Sequence, residues 1–145
     1  MPIPEFDPAT SALPAGIHEA TWPEVAARFG INAARLRLLS GLRVALGILA
    51  AAGCTRVYLG GSFVAAKALP ADWDGCYGPE GVDPEQLPDS ILHEDRDGMK
   101  DVFGGEIYIQ YDQDVDYLAF FQTNRRKQPV GLIALDPRTA KQEEK

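Results

Sequence analysis

Apolar residues recur at Leu38, Leu42, Ala45 and Leu49, with Leu39 and Leu46 beside them. This helical spacing predicts a long amphipathic helix. Asn32 is a suitable N-cap, and Gly53 ends the helix as a C-cap residue. Arg35, Arg37 and Arg43 are expected on its wetter sides. Ahead of it, Thr21, Pro23 and Glu24 form the pattern of a capping box with proline in the first turn, so a short helix should run to Gly30. Residues 56–59 are too short an apolar run for a helix and read as a buried strand. A Gly60-Gly61-Ser62 turn follows, then a short helix or loop over 63–68, stopped at Pro70. Residues 71–76 read as a second strand, and 78–88, rich in glycine, proline and acids, as a loop. A helix is expected over 89–102, capped by Asp89 and broken at Gly104-Gly105. Residues 106–111 alternate, with Ile107 and Ile109 on one face and Glu106, Tyr108 and Gln110 on the other, which predicts a third strand. An acidic loop over 112–116, a strand or short helix over 117–123, a turn over 124–129 and a last strand over 130–135 complete the pattern.

Four of the 11 prolines fall at positions 2, 4, 8 and 14, so residues 1–16 are expected to form an extended arm. Residues 137–145 are polar and should fray. No repeat or long linker divides the chain. It is therefore read as one α+β domain over 1–145, with a mixed sheet and the N-terminal helices packed on one side of it.

Composition narrows the function classes. The 145 residues suffice for one core, and no apolar run approaches the ~20 residues of a membrane span. The N-terminus lacks a basic start and an apolar core, so no secretory signal is expected and the chain is read as cytoplasmic. Cys54 and Cys76 are too few and too isolated for a metal site and read as reduced thiols. His18 and His93 lack ligand spacing. The net charge of -7 argues against broad binding to a nucleic-acid backbone, but leaves room for a local patch at Arg125, Arg126 and Lys127.

The chemistry concentrates in residues 57–74, VYLGGSFVAAKALPADWD. Asp72 and Asp74 are two apart, so on a strand they share a face. Carboxylates that close repel unless a cation lies between them, and magnesium commonly binds through one or two carboxylates plus substrate phosphates. The Gly60-Gly61-Ser62 turn is suited to phosphate, because glycine lets backbone amides approach an anion. Lys67 is the one cation inside the motif. Trp22 and Trp73 are expected in the core or an interface. Tyr108 and Tyr111 fit either a cleft or a half-buried strand.

Gly61-Ser62 followed ten positions later by Asp72-Trp73-Asp74 resembles the nucleotidyltransferases of the DNA polymerase β type. The wider run LGGSFVAAKALPADWDG, with TWPEVAARFG before it and RRKQPVGLIALD after it, is similar to small bacterial proteins of unassigned function with this nucleotidyltransferase-like core. Some of those are regarded as toxin–antitoxin or mobile-element components. The resemblance implies a nucleotidyltransferase-like sheet and a Mg2+ ion held by Asp72 and Asp74. It implies a nucleoside triphosphate held by Gly61 and Ser62; Lys67, from its place in the motif, reads either as a further phosphate contact or as a surface lysine. It also implies transfer of a nucleotidyl group to a hydroxyl on RNA or protein. A third carboxylate, acting as general base, is expected from a neighbouring strand; Glu106 is the first candidate and Asp112 the second. The sequence departs from the family in having no further glycine over 63–67 and a tryptophan between the two aspartates. Those departures define the alternative: a nucleotidyltransferase-like binding module without catalysis, working with a protein partner.

Overall fold

The computed structural model describes residues 3–112 and 115–141. Five strands form one open mixed sheet: β1 (Gly16–Glu19), β2 (Val57–Gly60), β3 (Trp73–Tyr77), β4 (Gly105–Ile109) and, continuing below, β7 (Gly131–Leu135). Their order is β1-β7-β2-β3-β4, parallel at the two outer pairs and antiparallel at the two inner ones. The small strands β5 (Tyr111–Asp112) and β6 (Val115–Asp116) pair as a hairpin where an acidic loop was expected. Helices α1 (Trp22–Phe29), α2 (Ala33–Ala51), α3 (Asp89–Leu92), α4 (Arg96–Phe103), α5 (Tyr117–Phe121) and α6 (Arg138–Lys141) complete the α+β fold. No helix among the described residues is long and apolar enough to cross a membrane.

Side-chain alternation divides the sheet into two unlike faces. Val57, Leu59, Trp73, Tyr77, Ile107, Ile133 and Leu135 join the main core with Val25 and Phe29 of α1, Leu42, Leu46 and Leu49 of α2, and Met99 and Phe103 of α4. The other face carries a smaller cluster of Cys76, Leu132 and Phe121, with Tyr58, Tyr117 and Leu118 against it. That face is covered mainly by the five-residue α5; Asp72 and Asp74 are partly buried there and Glu106 is buried. Trp73 is fully buried in the core, and its indole N–H donates to the carbonyl of Phe103 at 2.8 Å. Both cysteines are buried.

The helix boundaries follow local chemistry. Thr21 and Glu24 make the expected reciprocal capping box, and the Asn32 carboxamide accepts from the amide of Arg35. At the end of α2, Gly53 has φ +106, its amide donates to Ala50, and the Cys54 amide reaches back to Leu49. This is a Schellman closure with Gly53 just past the cap.

Several expectations need correction. The stretch 89–102 is two helices, because Glu94 takes a left-handed φ of +52 between them. Strand β1 was not foreseen; it adds beside β7 as a parallel edge. Arg138–Lys141 is a helix rather than frayed chain, with Ala140 buried; residues 142–145 lie outside the described residues.

The largest correction concerns Arg35, which is 2% exposed rather than solvated. Its guanidinium donates to the carbonyls of Phe29, Phe63, Ala65 and Lys67 at 3.3, 2.7, 3.0 and 2.6 Å. It also stacks over the Phe63 ring, 5.1 Å from the centroid. Carbonyl dipoles and a ring face thus meet a buried charge that has no carboxylate partner among the described residues. The result is a clamp on the segment that follows the Gly-Gly-Ser turn.

Candidate metal and phosphate site

Strand register builds the site. Gly60 of β2 is paired with Asp74 of β3, and Asp74 with Glu106 of β4, so the three positions share one row across the sheet. Asp72 stands one residue before β3. Carboxylate oxygens of Asp72, Asp74 and Glu106 all lie within 4.8 Å of one another. The pair read from the sequence and the first candidate for the third carboxylate therefore converge. The side chain of Asp112, the second candidate, lies outside the described residues.

The turn packs directly on this cluster. Gly61 has φ +75 and ψ -162, a region essentially reserved for glycine. A Cβ added there would stand 3.1 Å from Asp74 Oδ2, so any side chain would press on the carboxylate. Ser62 opens a short helical turn immediately after it. Lys67 does not join the cluster. It is exposed, its carbonyl accepts from Arg35, and no ion pair links its ammonium to these carboxylates among the described residues.

Two other cations do join, and the sequence reading missed both. Lys100 Nζ lies 3.1 Å from Asp72 Oδ2 and 3.4 Å from Glu106 Oε2, bridging them. Arg96 Nε lies 3.2 Å from Glu106 Oε1. Their i, i+4 spacing on α4 puts both on the side facing β4. The Tyr108 hydroxyl donates a short hydrogen bond to the same Glu106 oxygen.

These neighbours give the carboxylates different tendencies. Burial alone would raise Glu106, but the Tyr108 hydroxyl, Arg96 and Lys100 outweigh it and hold the group below the usual carboxylate range. Asp74 goes the other way. Burial, then the charges of Asp72 and Glu106, push it up to about 7. Its carboxylate makes no hydrogen bond or ion pair among the described residues. Oxygen-only donors, crowded charge and one carboxylate short of a counterion fit a hard divalent cation.

The raised Asp74 has a consequence for stability. In the unfolded chain the group titrates near 3.8. The folded state therefore holds a proton that the unfolded state has released, and metal-free stability falls as pH rises from about 4 through about 7. At ~1.4 kcal/mol per pH unit the loss has a ceiling of about 4 kcal/mol, reduced by the water that reaches a half-buried group. Asp74→Asn is expected to remove this slope, gaining stability over the wild type at pH 8 but much less at pH 5. Urea denaturation in chelator at both pH values measures the difference, and parallel behaviour of the two proteins would refute this assignment.

Fold and site together define an α+β protein with a three-carboxylate cluster, flanked by two cations and a glycine turn on the open face of its sheet. Residues 4–136 match the family described as "Family of unknown function (DUF6932)", and the chain belongs to that family. No curated protein and no solved structure matches it.

Proposed function

We propose that the chain is a cytoplasmic, magnesium-dependent nucleotidyltransferase of the DNA polymerase β type. It moves a nucleotidyl group from a nucleoside triphosphate to a hydroxyl acceptor on RNA or protein. The observation that carries this reading is the convergence of Asp72, Asp74 and Glu106 within 4.8 Å, next to the Gly61-Ser62 turn. Asp72 and Asp74 would hold the metal, which when bound orients the reacting oxygens and neutralises charge at phosphorus. Gly61 and Ser62 would hold the triphosphate, with Arg96 and Lys100 supplying the positive charge that Lys67 was expected to bring. Glu106, kept ionised by its partners, would take the proton of the attacking hydroxyl as pyrophosphate leaves. Transfer of label from α-phosphate-labelled nucleotides to RNA or protein of a cell lysate tests this. Transfer that requires both magnesium and Asp72 is expected; its absence with all four nucleotides counts against the reading.

One observation favours the second reading. Lys100 already bridges Asp72 and Glu106 as a resident cation, an arrangement that would suit a catalytically inactive module, such as a toxin–antitoxin component bound to a protein partner. The two readings part at Lys100→Met. If the cluster takes a metal, the variant melts lower than wild type in chelator and magnesium restores it, since a ligand that binds only the folded state stabilises it. If Lys100 is the permanent cation, magnesium restores nothing.

A further inference from the structure

The covering of the open face has a chemistry of its own. Tyr108, bonded to Glu106, stacks on Tyr117 with ring centroids 4.8 Å apart and an interplanar angle of 11°. Tyr117 in turn meets Phe120 edge-on at 6.3 Å. Phe120 is 64% exposed, and Phe121 beside it packs inward, filling the space over Gly60 that a Cβ would take. A row of aromatic rings thus leads from the carboxylate cluster to solvent.

The chain's densest basic cluster follows this row a few residues on in the sequence. Two residues beyond α5, residues 124–128 form a tight, internally bonded loop. The Asn124 side-chain oxygen accepts from the amides of Arg126 and Gln128, both at 2.9 Å, and its amide group donates to Gln128 Oε1. Lys127 adopts a φ of +64 to close it. The construction turns Arg125, Arg126 and Lys127 outward, all three exposed. On a chain of net charge -7, an ordered group of three cations five to seven residues past an exposed phenylalanine is a local exception. Aromatic rings that accept stacked bases, next to cations that meet phosphates, are the elements of a single-stranded nucleic-acid site.

We propose that the α5 aromatic row and the 124–128 loop bind a single-stranded nucleic acid and lead its end toward Glu106. The proposal rests on the nucleotidyltransferase reading for what it says of the acceptor, which it narrows to nucleic acid rather than protein. A base stacks on the exposed ring of Phe120, which Tyr117 backs edge-on, and phosphates pair with Arg125, Arg126 and Lys127.

Fluorescence anisotropy with a labelled oligouridylate RNA of about 12 nucleotides, without nucleotide or metal, measures this directly. The wild type is expected to bind at low salt and to weaken as salt rises. Phe120→Ser should weaken binding about tenfold. Arg125→Glu with Arg126→Glu should weaken it at least about tenfold and flatten the salt dependence. Both changes lie on exposed residues, and an unchanged far-ultraviolet circular dichroism spectrum checks the fold. Asp72→Asn with Asp74→Asn should bind the RNA at least as tightly as wild type. A wild type that ignores the RNA, as a protein-docking ledge would, or variants that bind as well as wild type, overturn the proposal. RNA binding without label transfer would instead count against the catalytic reading alone, and label transfer without RNA binding against this proposal alone.

Discussion

Replacing Asp72 and Asp74 together by asparagine is expected to abolish divalent-metal binding and to lower nucleotidyl transfer by at least about a thousandfold, with the fold intact. The expectation of an intact fold follows from the site's own electrostatics. Asp74 is pushed up to about 7 by burial and by two like charges, so its ionised form burdens the metal-free protein rather than supporting it. Neutral amides of the same shape relieve that repulsion. The variant should therefore melt at or above the wild-type temperature in chelator at pH 8, a stability–function trade often met at active sites. Calorimetric titration with manganese and the lysate labelling assay give the two readouts. A double variant that binds metal as wild type does would remove the basis of the proposed function.

Arg35→Met is expected to cost about 3–5 kcal/mol of folding stability, read by urea denaturation at neutral pH. The side chain satisfies carbonyls from two segments, Phe29 at the end of α1 and Phe63, Ala65 and Lys67 beyond the glycine turn. Removing the guanidinium strands the buried carbonyls of Phe29 and Phe63 without partners and unties the partly buried ones of Ala65 and Lys67. Lysine should rescue little, since its compact ammonium lacks the planar fork that reaches several acceptors at once. The loss should also reach function, because the clamped segment continues directly from Gly61 and Ser62. A loss under about 1 kcal/mol would contradict the clamp.

The sequence carried more of this site than of its surroundings. The two-residue spacing brings Asp72 and Asp74 together even though β3 begins only at Trp73, after Asp72, and the glycine turn lies beside them. Glu106 was also accessible as the first residue after the Gly104-Gly105 break, although β4 begins at Gly105 and its register against β3 is set by the strand pairing. The cations were harder to see. Arg96 and Lys100 share a face of one helix, but that face meets Glu106 only through the packing of α4 on β4. Lys67 looked the better phosphate ligand because it lies inside the motif. The chain then turns it outward while Arg35 takes its carbonyl.

Arg35 itself carried a signal that charge obscured. Positions 35, 39, 42, 46 and 49 recur at four- and three-residue steps, and all five are buried. Periodicity placed the arginine in the apolar stripe, whereas its charge argued for water. What decided the matter was a set of carbonyls from distant segments that no local pattern displays. Strand β1 escaped for a related reason. Its four residues carry one apolar side chain, Ile17, and the strand is held through backbone pairing with β7 rather than by burial.

Crystals grown with manganese and a non-hydrolysable nucleoside triphosphate test the central claim most directly. The account predicts an anomalous scattering peak bound by Asp72 and Asp74 beside Glu106, phosphates against Gly61 and Ser62, and Lys100 drawn away from its bridge. A structure with no peak at the three carboxylates, and Lys100 still joining Asp72 to Glu106, would contradict it.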